Sequence, residues 1–329
     1  MSFYKNVFKQ ALKLTWNNKL FWFLGVFTVF FSTSVEIEMV DNFLGPNRNY
    51  LYTFKDVMQN SFFKRGLVDG LQNLINTKLF SFMLVLGLIL LVLMIISVIA
   101  QILITAQSAT LIKVGSPDLK NHKNFNWLDH LAQNKRLIVP VAVLDLLLKI
   151  MVNLFLVVIS LPLLLGNQNE LSGWMYVIFF VVLFPAAIIT AFVVRYMSCY
   201  LIIYGYSMKE SIVAGWRLFA KNWLVSAEMS LMLFLVNIFG SLLVIFVILA
   251  VANPLWFLGI LANQYLFKGG FYVILALSYV IYFALFAWGA SLLSVFNINS
   301  WTSLFLQLDK VGGESKISRV ISGIIKKEE

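Results

Sequence analysis

Between residues 79 and 106 the chain runs without one charged side chain, and most of its positions are Leu, Ile, Val, Phe, Met or Ala. A bilayer's hydrocarbon core is about 30 Å thick, and a helix needs about 20 apolar residues to cross it. A run of this length therefore reads as a membrane span. Lipid offers the backbone no hydrogen-bond partners, so such runs must be helical. Comparable runs recur along the 329 residues, which are 60% hydrophobic and 12% charged with a mean hydropathy of +0.87. The pattern predicts an all-α polytopic membrane protein with six transmembrane helices, at residues 19–35, 79–106, 137–165, 174–204, 223–252 and 271–306. Residues 1–308 then form a single transmembrane domain, and 309–329 a polar cytoplasmic tail. Asn253-Pro254 is expected to stop the fifth span, leaving 255–267 as an interfacial or re-entrant piece.

The net charge of +10 has a topological explanation, because Lys and Arg are retained on the cytoplasmic side of a membrane. With both termini inside, 17 basic residues fall in the cytoplasmic segments and 6 outside, five of those in the first external loop. The expected location is a plasma membrane, crossed several times. No basic stretch interleaves with aromatics on a soluble domain, which argues against nucleic acid as a partner. The single cysteine, Cys199, lies inside a span and allows no disulfide framework.

Each odd-numbered span follows an amphipathic segment. Residues 3–18 carry Lys5, Lys9 and Lys13 at a spacing of four, the pattern of a helix lying on an anionic surface. A cleaved signal peptide over residues 1–34 is the alternative. Before the fifth span, Ser207-Met208-Lys209-Glu210 has capping-box spacing and opens a second interfacial helix. Met208, Ile212, Gly215, Trp216, Phe219 and Trp223 form its expected buried stripe, with Lys209, Arg217 and Lys221 opposite. Membrane lipids with anionic headgroups are the implied partners; a docking face for a protein is the other use of such a helix. The segments end alike, at Asn18-Lys19-Leu20, Asn134-Lys135-Arg136 and Asn222-Trp223-Leu224, which predicts three units of surface helix plus hairpin at roughly 1–106, 120–204 and 205–308.

Four charges fall inside predicted spans: Asp145, Lys149, Arg195 and Glu228. Two charges at a helix centre cost roughly 5–7 kcal/mol of insertion energy, which the apolar residues around them offset. Asp145 precedes Lys149 by four residues, the favourable order for a local pair. Two uses fit the set. The charges pair structurally, with Arg195 and Glu228 clamping one end of the bundle, or they line a polar cavity for a solute. His122 and His130 have no cluster of ligands around them in sequence, so neither metal nor cofactor is expected. The loop 36–78, with capping-box spacing at 53–56, reads as a small external cap.

The stretch Glu210-Ser211-Ile212-Val213-Ala214-Gly215-Trp216-Arg217-Leu218, followed by Asn222-Trp223, resembles a broad group of prokaryotic membrane proteins. That group includes the membrane domain associated with glycerophosphoryl diester phosphodiesterases. Ala11-Leu12-Lys13-Leu14-Thr15-Trp16-Asn17-Asn18-Lys19-Leu20-Phe21-Trp22-Phe23-Leu24-Gly25 is similar to the start of such proteins. The resemblance implies a polytopic helical domain and carries over no catalytic residue. Outside the spans there is no room for the roughly 250 residues of a phosphodiesterase barrel. The sequence thus predicts a non-enzymatic scaffold or lipid-associated accessory factor. A transporter of a small solute or lipid, using the four intramembrane charges, is the alternative. No protein partner or oligomeric state is assigned.

Overall fold

The computed structural model describes residues 2–29, 78–114, 135–165, 170–266 and 270–312, and these are helical almost throughout, with no strands. In chain order the helices are α1 (Ser2–Asn17), α2 (Lys19–Val29), α3 (Lys78–Val114), α4 (Ile138–Leu165, entered through a 3-10 turn at Lys135–Leu137), α5 (Glu170–Tyr204), α6 (Met208–Lys221), α7 (Trp223–Leu261, followed by a π turn at Ala262–Leu266) and α8 (Gly270–Val311). The external cap at 36–78, apart from Lys78 at the head of α3, and both histidines lie outside the described residues. So do 313–329 of the tail and the end of the predicted first span.

Four helical stretches among the described residues are long and apolar enough to cross a membrane: Leu84–Lys113, Phe180–Tyr204, Trp223–Tyr265 and Phe271–Lys310. This is a membrane protein by that criterion. The expected stop at Pro254 is corrected, because α7 runs through it to Leu261. A proline costs a helix one backbone bond, which neighbouring groups in a membrane bundle can make good. The tail boundary is corrected too. Asp309 belongs to α8, which ends at Val311 against Gly312 in the left-handed conformation (φ +74°), with Gly312 N–H donating to Leu308 C=O at 3.0 Å.

The chain divides into two compact units. One comprises Met1–Ser32, Ser97–Val141 and Arg195–Glu329; the other comprises Thr33–Ile96 and Ala142–Val194. In the second unit α4 carries the Asp145–Lys149 pair, and Phe180 stacks on Phe184 along α5. The first unit is built around α8, which packs against α1, α2 and α7.

Between helices in lipid there is little hydrophobic drive to associate, so close approach and hydrogen bonds must supply it. Both are present on α8. A Cβ added to Gly25 of α2 would lie 2.6 Å from Val295 Cγ2 and 2.8 Å from the backbone oxygen of Ser291. Gly289 lies equally close against Val244 of α7, and Gly240 against Leu293. At the α2 contact Ser291 Oγ donates to the Trp22 carbonyl, and Ser294 Oγ lies 2.7 Å from Thr28 Oγ1. Phe21, Ile104 and Val295 close the apolar core beside them. Replacing Gly25 with Ala is expected to lower the detergent melting temperature and folded yield, because backbone at Ser291 cannot rotate away. A Gly25→Ala protein that melts with the wild type would show that α2 and α8 do not pack this closely.

Candidate functional site

The site is built where the two amphipathic helices α1 and α6 turn into apolar ones. Asn18 joins α1 to α2 and Asn222 joins α6 to α7, each without an intervening loop. Both side chains are buried, and each amide donates back to the carbonyl four residues earlier: Asn18 Nδ2 to Leu14 at 2.8 Å, Asn222 Nδ2 to Leu218 at 3.1 Å. Their own carbonyls accept from the next helix, from Phe21 N–H and Ser226 N–H, both at 3.0 Å. A helix end leaves carbonyls without partners, and one asparagine here answers for both the old helix and the new.

The capping box is present. Ser207 Oγ accepts from Glu210 N–H, while Glu210 Oε2 accepts from the Ser207 N–H at 2.9 Å. The Ser207 N–H foremost, and then the Ser207 hydroxyl donating to the same Oε2 at 2.8 Å, hold the Glu210 carboxyl below the usual carboxylate range. Glu210 is therefore a cap. Gly205, at φ +68°, gives the turn ahead of it the left-handed residue it requires.

The face that α6 presents is corrected in part, since of the expected stripe Gly215 and Phe219 are buried but Ile212, Trp216 and Trp223 are not. Ser211, Gly215, Leu218 and Phe219 are buried, whereas Ile212, Val213 and Trp216 are exposed, and Trp223 beyond the hinge is exposed as well. Ser211 and Gly215 let the helix approach its neighbours, Leu218 and Phe219 pack beside them, and Ile212, Val213 and Trp216 point outward among Lys209, Arg217 and Lys221. Helix α1 has the same character, with Leu12 and Trp16 exposed among Lys5, Lys9 and Lys13. Trp22 Nε1 donates to the Thr15 carbonyl at 2.7 Å, tying α2 back to α1.

The four charges expected inside spans have partners of different kinds. Lys149 Nζ lies 3.0 Å from Asp145 Oδ2 within α4. The guanidinium of Arg195, in α5, sits 4.7 Å from the centre of the Trp301 ring in α8. Glu228, in α7, accepts a short hydrogen bond from the hydroxyl of Tyr4 in α1. Next to Arg195, Tyr196 is buried with its hydroxyl 2.7 Å from Ser226 Oγ, which itself donates to the Asn222 carbonyl. The hinge is thus wired to the arginine-bearing end of α5.

Two groups were not legible from spacing. Asp309 accepts from Tyr200 (2.9 Å) and Tyr204 (2.6 Å), Tyr206 stacks on Tyr200, and the Lys113 ammonium lies 4.8 Å over the Tyr204 ring. A neutral polar chain runs from Ser108 to Asn299 Oδ1, from Asn299 Nδ2 to Thr15 Oγ1 (2.9 Å), and on to the Ala11 carbonyl (2.9 Å). Among the described residues no three His, Cys, Asp or Glu side chains come together as a metal site would need.

No family model matches the chain, and no curated protein or solved structure matches it either.

Two outcomes follow for the hinge. Asn222→Ala removes a buried bond worth about 1 kcal/mol, whereas Ser211→Ala deletes a buried hydroxyl that has no hydrogen-bond partner. In thermal melts Asn222→Ala is expected to destabilise and Ser211→Ala to be neutral or stabilising; the reverse order would refute the hinge geometry. Because the Glu210 pKa is lowered on folding, its contribution is present above the ordinary carboxylate range and lost as pH falls through the lowered pKa. Amide exchange in the first turn of α6 should therefore speed up at acid pH in the wild type and lose that dependence in Glu210→Gln. Identical pH profiles would exclude the cap as its cause.

Proposed function

We propose that this chain is a non-enzymatic integral protein of a prokaryotic plasma membrane, a scaffold or lipid-associated accessory factor. Its interfacial helices hold it against the anionic cytoplasmic leaflet. It crosses the membrane six times with both termini inside, and its hinge-bearing stretches make it akin to the membrane domain associated with glycerophosphoryl diester phosphodiesterases. The observation that carries this reading is the outward face of α6, where Ile212, Val213 and Trp216 stand exposed beside Lys209, Arg217 and Lys221. Indole rings favour the headgroup level, and each cation near an anionic leaflet contributes about 1 kcal/mol. The partners of Asp145, Arg195 and Glu228 support structural roles for the intramembrane charges over a conduction path.

Topology and lipid preference test it together. In a Cys199→Ala background, single cysteines placed at Lys9 and Lys221 are expected to react with an impermeant maleimide only after cells are opened. One at Tyr265 should react in intact cells. In vesicles, brominated phosphatidylglycerol should quench tryptophan fluorescence more than brominated phosphatidylcholine. Labelling of Lys9→Cys from outside, or equal quenching, would overturn the interfacial reading. A solute flux that Arg195→Gln abolishes without loss of folded protein would favour the transporter instead.

A further inference from the structure

The two hinges are one construction used twice. The shift of 204 residues that carries Asn18 onto Asn222 also carries Val7 onto Ser211, Ala11 onto Gly215, Leu14 onto Leu218 and Phe21 onto Val225, and every one of these residues is buried. The asparagine amide makes the same bond to the carbonyl four residues back in both copies. Any interfacial helix ahead of a span has a buried side and a basic side, so a loose likeness would mean little. Here a single register aligns both sides at once. Lys5 falls on Lys209, Leu12 on Trp216 and Lys13 on Arg217, and all six are exposed. Where the copies differ, as at Lys9 and Val213 or Trp16 and Ala220, the shared set of two cations and one large apolar side chain is untouched.

Eight residues of helix separate the two cations by about 12 Å, wider than one phosphate, so each cation can hold its own. The apolar side chain one residue before the second cation, Leu12 or Trp216, would enter the acyl boundary beside it. Resting on the interfacial reading above, we propose that α1 and α6 form two equivalent seats for anionic phospholipid headgroups. Lys5 and Lys13 take the phosphates in one seat, Lys209 and Arg217 in the other. Zwitterionic lipid carries its own ammonium beside each phosphate and gains less from these cations, so the seats select for net negative charge.

Native mass spectrometry of the full chain, released from membranes holding equal phosphatidylglycerol and phosphatidylcholine, counts the retained lipids. Lys5→Gln/Lys13→Gln and Lys209→Gln/Arg217→Gln are each expected to lose about half of the retained phosphatidylglycerol, and the quadruple variant nearly all. Lys5→Arg/Lys13→Arg should retain it. One pair accounting for the whole loss, or a quadruple variant that still prefers phosphatidylglycerol as the wild type does, would overturn the two seats while leaving the interfacial reading standing. A wild type that retains both lipids alike removes the interfacial reading itself. Raising salt on the wild type gives a check that does not depend on folding of a variant. Retention should fall as screening grows, and retention insensitive to salt would refute the seats.

Discussion

The first unit depends on how α8 is held, because lipid gives its neighbours no general reason to gather round it. What gathers them is local. Glycines at 25, 240 and 289 bring helices into contact at distances a Cβ would forbid, and short polar side chains on α8 then reach across. Ser291 and Ser294 bind α2, Asn297 Nδ2 donates to Asn237 of α7 at 3.0 Å, and Asn299 and Ser303 take α1 through Thr15 and Gln10. Each bond is neutral, so the face carries almost no Born cost while every amide or hydroxyl it fixes would be expensive to leave alone in hydrocarbon. The polar dots on the last span are therefore its assembly code. Their concentration from Ser291 onward places that code at one end of the helix.

That end is also where α1 joins α2 and α6 joins α7, and the two facts are connected. Where one helix ends and the next begins, the carbonyls at the joint lose their regular partners. An exposed loop could leave them to water. A loop-free joint needs an internal donor, and a buried asparagine supplies one without charge. Burying Asn18 and Asn222 then requires tight protein around them. This explains why the residues facing inward on α6 include Ser211 and Gly215 beside Leu218 and Phe219, while Trp216 faces out. Had the stripe followed hydrophobicity alone, Ile212 and Trp216 would be inside. In a membrane protein the outside is apolar as well, so hydrophobicity alone does not decide which side of a helix meets protein.

That ambiguity marks what the sequence could and could not disclose. Helix positions were legible because backbone satisfaction in lipid forces long runs, and the starts of α3, α4, α7 and α8 fall within a residue or so of the apolar boundaries. Contacts within one turn were legible too: the Ser207–Glu210 box and the Asp145–Lys149 pair are fixed by spacing. Pro254 misled because in a membrane bundle neighbouring groups can satisfy the carbonyl a proline frees, so the helix need not end there. The outward stripe of α6 misled because amphipathicity cannot tell lipid from protein. Tyr4 with Glu228 and Tyr204 with Asp309 join residues 224 and 105 positions apart, which no local period encodes.

The fate of the charges bears on what kind of machine this is. A conduction path needs ionisable groups that exchange partners, since a charge fixed in one deep well cannot relay anything. The Arg195 guanidinium lies 4.7 Å from the centre of the Trp301 ring, a contact that ties α5 to α8. Glu228 takes its hydrogen from a phenol on α1, which fixes the N-terminal helix to the start of α7 beside the Asn222 hinge. Tyr196, the residue after that arginine, reaches the same hinge through Ser226. These links run from surface helix to span and back. A displacement of α1 or α6 would therefore be passed to the polar end of α8.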